Sequence, residues 1–235
     1  MTDPVNGRTV VLTERVNTRW ADGVHEKFLS LAPEKQRRII NAALAEFASK
    51  GYRKASTDDI VAKAGISKGA LFHYFGSKES LYLFLLDWSA RLMQEEIYGK
   101  IDWAEPDFFA RLLQGSKVKL EVLLAYPELW SFWETFMSER PEIGSEWLDT
   151  RTFEEAPRST EAFLKGVDTS RFKPGMDLDK MVNVVVWMFA GWTDALWAES
   201  RSRGEPVDLR QAFAEADEYV EFLRTIFCKE GMELG

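Results

Sequence analysis

The chain has only two histidines and one cysteine in 235 residues, and these scarcities remove whole classes of chemistry. With only His25 and His73 to draw on, a histidine-rich metal site or a histidine-dependent catalytic triad has little material. The lone Cys228 cannot form an internal disulfide, which fits a reducing compartment and reads most simply as a small buried apolar residue. No glycine-rich loop with a following lysine is present to cradle phosphates. Carboxylates are plentiful, but neighbours such as Glu154 and Glu155 point apart on a helix, as a solvated face does. No segment offers eighteen uncharged apolar residues, and Asp3, Glu14, Arg15, Arg19 and Asp22 interrupt the N-terminal stretch. Neither a membrane span nor a signal peptide is therefore expected. The expectation is a cytoplasmic protein that is not an enzyme and holds neither metal nor cofactor.

What the chain does contain is concentrated between Ser56 and Lys78. Ser56 is placed to cap the orphan amides of a helix, with Asp59 three residues on as a short-armed capping-box acid and Asp58 beside it at the positive end of the dipole. Ile60, Val61 and Ala64 give that helix a buried side. Gly65 then supplies the residue able to take a positive backbone angle where the chain turns at once. Ser67 caps a second helix, in which Ile66, Leu71 and Phe75 face the core while Lys68, Gly69, Ala70, Phe72, His73 and Tyr74 lie elsewhere. A turn of about three residues between two such helices is the layout of a helix-turn-helix, and the outer surface of the second suits a major groove. Upstream, Pro33 to Lys50 carries Ile40, Ala43, Leu44 and Phe47 at helical spacing before Gly51 stops it, which supplies a third helix to pack on the other two.

Residues 39–52, Ser56-Thr57 and the run Ile66-Ser-Lys-Gly-Ala-Leu-Phe-His-Tyr-Phe-Gly-Ser-Lys-Glu79 together closely resemble the N-terminal domain of the TetR family of bacterial transcriptional regulators. The resemblance covers about fifty residues without a gap; the rest of the chain is similar to the family only in length and helical character. It implies that Lys68, Gly69, Ala70, Phe72 and His73 face bases, and that Thr57, Tyr74 and Lys78 hold phosphates. Helix N-termini at Thr57 and Lys78 favour an anion on general grounds as well. The sequence departs from the family pattern at Ala70, where many members carry threonine, and at Phe72, where many carry tyrosine, which takes two hydroxyls from the groove face. Val61 stands at a tight helix crossing usually filled by alanine.

Charge divides the chain in the same place. Residues 33–80 hold nine Lys and Arg against five Asp and Glu, whereas residues 81–235 hold 17 against 29, within a total of −8. DNA would repel the acidic part, so the basic segment is the contact surface. A structural DNA-bending protein would be basic throughout.

Beyond Lys78 the pattern is helical: Lys78 to Tyr98 as a connecting helix with Leu81, Phe84, Leu85, Trp88, Leu92 and Met93 on its apolar side, then Asp107 to Ala125, Pro127 to Ser138, Ser145 to Gly166, Asp177 to Ser202 and Asp208 to Lys229. No useful strand alternation survives, so the class is all-α. The expected organisation is an N-terminal extension at 1–32, a DNA-binding domain at 33–80, and a larger helical domain at 81–235 for ligand binding and dimerisation. The extension has no net charge, and Val10-Val-Leu12 with Trp20 suggests a segment that docks on the protein, the alternative being an arm that reaches a minor groove.

Aromatics crowd two of the body's helices. Trp130, Phe132 and Trp133 alone point around most of one, and Met137 follows; Trp187, Phe189, Trp192 and Trp197 share another. One amphipathic face cannot hide them all, so Trp130, Trp133, Met137, Trp187 and Trp192 are candidates to line a site for an apolar small molecule. In the family the last two helices pair with their copies into a four-helix dimer interface. Val182, Val185, Val186, Phe189, Ala190, Thr193 and Leu196 on one, and Ala212, Phe213, Ala216, Tyr219, Val220, Leu223 and Phe227 on the next, keep the spacing such an interface needs. The expectation is a homodimeric, non-membrane repressor released from palindromic operator DNA by an apolar effector. The competing classes are a small-molecule-binding helical enzyme and a constitutive DNA-binding regulator without a ligand.

Overall fold

In the computed structural model, residues 25–92, 95–96, 98–143 and 163–229 are described. Most of the extension and most of the helix expected over 145–166 lie outside them. The helices are α1 (Glu26–Leu29), α2 (Pro33–Lys54), α3 (Thr57–Ala64), α4 (Lys68–Phe75), α5 (Lys78–Leu92), α6 (Phe108–Ala125), α7 (Leu129–Ile143), α8 (Leu178–Arg203) and α9 (Leu209–Phe227). Among the described residues there is no strand, only an isolated bridge between Phe172 and Cys228. The described part of the connecting helix runs from Lys78 to Leu92, residues 93–94 lying outside the described residues, and α7 runs past Ser138 to Ile143.

The chain forms two compact units: residues 1–94 with 122–154, and residues 95–121 with 155–235. The first contains α1–α5 and α7. α7 lies alongside α2, with Thr135 Oγ1 donating to Ala48 O at 2.8 Å, and Asn41 Nδ2 donates to Ala125 O at 3.0 Å. Phe132 and Phe136 of α7 are fully buried, and Tyr82 of α5 meets Phe47 of α2 and Phe132 edge-on at 4.8 and 5.5 Å. α1 is a helix the sequence pattern did not announce. Phe28 has no exposure and packs between Phe75 at 4.8 Å and Phe84 at 5.3 Å, with His25 against the same two rings. Burial lowers the His25 pKa, outweighing a backbone hydrogen bond involving Tyr74 that raises it.

The second unit is built on Phe108, Phe109, Phe172, Met181, Val182, Val185, Val220, Leu223 and Cys228. Asp107 organises its polar side. One carboxylate oxygen caps α6 by accepting from the amides of Phe109 and Ala110, and the other receives Arg171 at 2.8 Å and Arg224. Burial works against that charge, but the Ala110 amide and the two guanidiniums outweigh it and hold the carboxyl below its usual range. Buried Arg111 donates to the carbonyls of Trp103, Glu105 and Lys165 and so pins the connections around α6. Asp177 and Asp208 cap α8 and α9.

α8 is long and apolar enough, by length and composition, to cross a membrane, although only 17% of that stretch is buried. Val182 and Val185 turn into the core of the unit, while Val184, Val186 and Trp187 face out. On α9 the buried set is Ala212, Phe213, Ala216, Val220 and Leu223, and the outward set includes Tyr219, Phe222 and Ile226. The periodic residues expected to make a dimer interface therefore mix two faces. Val182, Val185, Ala212, Phe213, Ala216, Val220 and Leu223 fill this unit's own interior, because one helical repeat cannot serve core and partner together.

Candidate nucleic-acid interface

The helix-turn-helix is fixed by a chain of local bonds. α2 loses helical geometry at Gly51 (φ 70, ψ 172) and makes one more turn before extended Ala55. Ser56 Oγ accepts from the amides of Asp58 and Asp59 and so starts α3 as its spacing predicts. The reciprocal half of the capping box is supplied differently. Asp59 pairs with Lys50 at 2.6 Å, and the Ser56 amide is held at 3.1 Å by Glu46 of α2. An aspartate arm is one methylene shorter than the glutamate that usually closes this box, and Glu46 takes its place. Glu46 has no exposure and also receives Lys50 at 2.7 Å and Lys63 at 3.2 Å. Burial pushes its carboxyl up, but the bonds from Lys50, Ser56 and Lys63 prevail and bring it down to about 2.

Gly65 ends α3 in the left-handed conformation (φ 65, ψ 40), and Arg38 Nε donates to Ala64 O at 2.7 Å, satisfying one of the carbonyls that the helix end leaves orphaned. Ser67 caps α4 by accepting from the Ala70 amide at 3.1 Å. Leu71 and Phe75 face inward as expected. Val61 is only half-buried, beside fully buried Ile60 and Ala64.

α4 carries Lys68, Gly69, Phe72 and His73 on one exposed side, with Ala70 half-buried. A Cβ at Gly69 would meet nothing within 4 Å, which leaves the backbone there open to close approach. Lys68 leans back to Asp58 at 2.9 Å, both side chains being more than half exposed. Phe72, 38% exposed, is the large apolar group on this surface.

The three residues implied as phosphate holders fare differently. Thr57 is half-buried at the first position of α3. Tyr74 is not on the outer surface: its ring is buried against Phe28 and its hydroxyl accepts from Lys35 Nζ at 3.4 Å. Lys78 sits at the first position of α5, but its ammonium donates to Tyr52 O, Arg53 O and Ala55 O at 2.8, 3.2 and 3.1 Å and lies 4.9 Å from the Tyr52 ring centroid. A lysine has three donors, and here all three neutralise carbonyls at the negative end of α2. Sequence reasoning missed Lys35, whose ammonium lies beside Tyr74, and Glu46, whose i,i+4 relation to Lys50 was the available signal.

The five ligand candidates fall in separate units. Trp130, Trp133 and Met137 are on α7 in the first, the two indoles half-buried and Met137 55% exposed; Trp187, at 69% the most exposed, and half-buried Trp192 are on α8 in the second.

The family model for bacterial regulatory proteins of the tetR family matches residues 39–84. An uncharacterised HTH-type transcriptional regulator, YuxN, of Bacillus subtilis is 47% identical over 55 residues, covering 23% of this chain and 19% of the relative. The A-factor receptor protein of Streptomyces griseus is 28% identical over 126 residues, 49% of this chain and 46% of its own. In each case the chain spans less than half the length of the curated relative. Among solved structures, the ketosteroid transcriptional regulator KstR2 of Mycobacterium tuberculosis superposes with a TM-score of 0.57 at 20% identity, covering 86% of this chain and 98% of that one, which is a likeness of fold. The motif match over α2–α5 identifies residues 39–84 as the N-terminal domain of the tetR family of bacterial regulatory proteins.

Proposed function

We infer that the protein is a homodimeric transcriptional repressor, its heads reading palindromic operator DNA in the cytoplasm and an apolar small molecule releasing them. The observation that carries the DNA-binding part is the α3–α4 pair, capped and turned by Ser56, Gly65 and Ser67, with Lys68, Gly69, Phe72 and His73 exposed on one side. Base contacts go to Lys68 and His73, thymine methyls to Phe72 and Ala70, and close backbone approach to Gly69. Thr57, Tyr74 through its hydroxyl, and Lys35 serve phosphates; Lys78 orients the head by holding the end of α2.

Dimerisation is assigned to α8 and α9. Of the nine exposed large apolar side chains among the described residues, six lie on these helices: Val184, Val186, Trp187, Tyr219, Phe222 and Ile226. Patches of this kind mark interaction surfaces, and a second copy supplies a self-complementary partner while doubling the reading heads. The same pairing accounts for an exposed apolar α8 without a membrane. Trp187 fits this face better than a ligand site. Effector binding is assigned to the Trp130, Trp133 and Met137 side of α7, supported by half-buried indoles and an exposed thioether. Trp192, half-buried on α8 in the second unit, is a separate candidate. A relative matched across 49% of this chain is named as a receptor, the A-factor receptor protein, which is in keeping with a signal-responsive body.

Selection from a pool of randomised duplexes with the purified protein tests the reading. A palindromic motif should be enriched, and Lys68→Ala and His73→Ala should change which motif is selected, since a good base contact discriminates by about 1–3 kcal/mol. Enrichment of no motif overturns the regulator. A panel of apolar compounds that gives neither a change in tryptophan emission nor a rise in melting temperature leaves a constitutive DNA-binding protein as the better account.

A further inference from the structure

α7 is bound to α2 by two polar rungs besides its buried aromatic face: Thr135 to Ala48 O, and Glu139 Oε2 accepting from the Tyr52 amide at 3.0 Å. The second rung falls where α2 leaves helical geometry. Gly51 has a positive φ there, and a Cβ on it would lie 1.8 Å from Glu139 Oε1. Glycine thus both permits the kink and vacates the space that the carboxylate fills. Both backbone groups of Tyr52 are held, since its carbonyl accepts from Lys78 at 2.8 Å. Four residues on, Ser56 begins α3. The C-terminal part of α7 therefore touches the backbone that sets where α3, and through Gly65 α4, points. Met137 and Trp133 lie on α7 within two turns of Glu139.

We propose that Glu139 is a positioning residue of the DNA-binding head: its carboxylate, seated on the Tyr52 amide beside Gly51, fixes the entry into α3 and couples α7 to the recognition helix. This rests on the regulator reading above. The coupling is a difference in how well two arrangements of one junction are held, so DNA binding at α4 must act back on α7 as strongly as α7 acts on α4.

The test uses the full chain and a duplex enriched from the random pool by the wild-type protein. Glu139→Ala is expected to weaken duplex binding about tenfold and to speed amide exchange at Tyr52. Glu139→Gln, which still offers an oxygen to that amide, should stay within about threefold of wild type. Duplex binding should alter exchange over residues 132–139 of the wild type. That response should vanish in Glu139→Ala while protection of α4 by the duplex persists, an effect that a purely stabilising contact would not give. Should the alanine variant not fold, Glu139→Asp keeps the charge but draws it back by one methylene, and should lose the same response. Wild-type affinity in these variants, a surviving α7 response in them, or no α7 response in the wild type overturns the coupling while leaving the regulator intact. If the wild type enriches no duplex, the regulator reading fails and the coupling falls with it.

Discussion

In the reading head, Phe28, Leu71, Phe75 and Phe84 close on one another until none is more than 2% exposed, whereas on α8 and α9 Trp187 and Phe222 stand 69% and 59% exposed. The two regions are both rich in large apolar groups and differ in where the complementary surface comes from. In the head these four find their neighbours within about sixty residues of chain, and polar devices such as Glu46 and Lys78 finish the helix ends. The outward side of α8 and α9 has no such neighbour in its own unit among the described residues, and the proposed dimer would supply one. Under the proposed dimer, the head's core would be closed before association and the body face only by it.

The largest expected effect breaks the body's half of that comparison. Replacing Trp187 and Phe222 together with aspartate places two charges on the face, and a dimer should fall to monomers by sedimentation, with association weakened about a thousandfold or more. A wild type that sediments as a monomer at all concentrations would remove the contrast altogether. Next comes the head's own closure. Phe28→Ala should cost about 3–4 kcal/mol in urea unfolding of the first unit, by transfer and cavity terms together. A loss under about 1 kcal/mol would mean that α1 is not part of the core.

A smaller effect concerns the buried polar link. The folded-state carboxyl of Glu46 titrates at about 2, below its ordinary value of 4.5. A depressed carboxylate stabilises the fold above its unfolded pKa, and that contribution is lost as pH falls from 4.5 towards 2. Glu46→Gln should therefore lower stability by about 2 kcal/mol at neutral pH and flatten the acid side of a stability-versus-pH curve over that window. An unchanged acid limb would show that Lys50 and Lys63, both substantially exposed, do not hold the charge.

The same contrast explains what was legible in the sequence. Ser56, Gly65, Ser67, Asp107, Asp177 and Asp208 act within a turn of their own position, so spacing alone located the ends of α3, α4, α6, α8 and α9. Leu71 and Phe75 follow helical periodicity and were equally readable. Tyr74 was not, because the ring that covers it belongs to α1, a helix of four residues too short to show a period. The Ser56 amide was assigned to Asp59 by a local rule, yet Glu46 reaches it from ten residues away. On α8 and α9 the repeat revealed an amphipathic helix, but periodicity does not say which apolar stripe meets the core, and Val182 and Val185 proved to be inside. The aromatic excess on α7 divides into a buried pair, Phe132 and Phe136, and the half-buried Trp130 and Trp133, a partition set by packing against α2 and α5.

Lys78 gives the finest test, because two rules that predict different outcomes meet at one ammonium. A lysine at a helix N-terminus in a DNA-binding head suits a phosphate, and removing such a contact should lower the log–log salt slope of DNA binding by about one. The same lysine here spends its three donors on the carbonyls of Tyr52, Arg53 and Ala55, where it offsets the negative end of α2. Those bonds would have to be surrendered for it to reach DNA. Lys78→Ala should accordingly destabilise the head by about 1–2 kcal/mol and weaken DNA binding for every sequence alike, since the entry to α3 is loosened, while the salt slope stays within about 0.3 of wild type. Lys35→Ala is the matched control, expected to lower the slope by about one with little change in stability. Gel-shift titrations over salt, run beside thermal unfolding, separate the two. A slope that falls by one for Lys78→Ala and holds for Lys35→Ala would return Lys78 to the phosphates and show that the head rearranges its helix ends when it meets DNA.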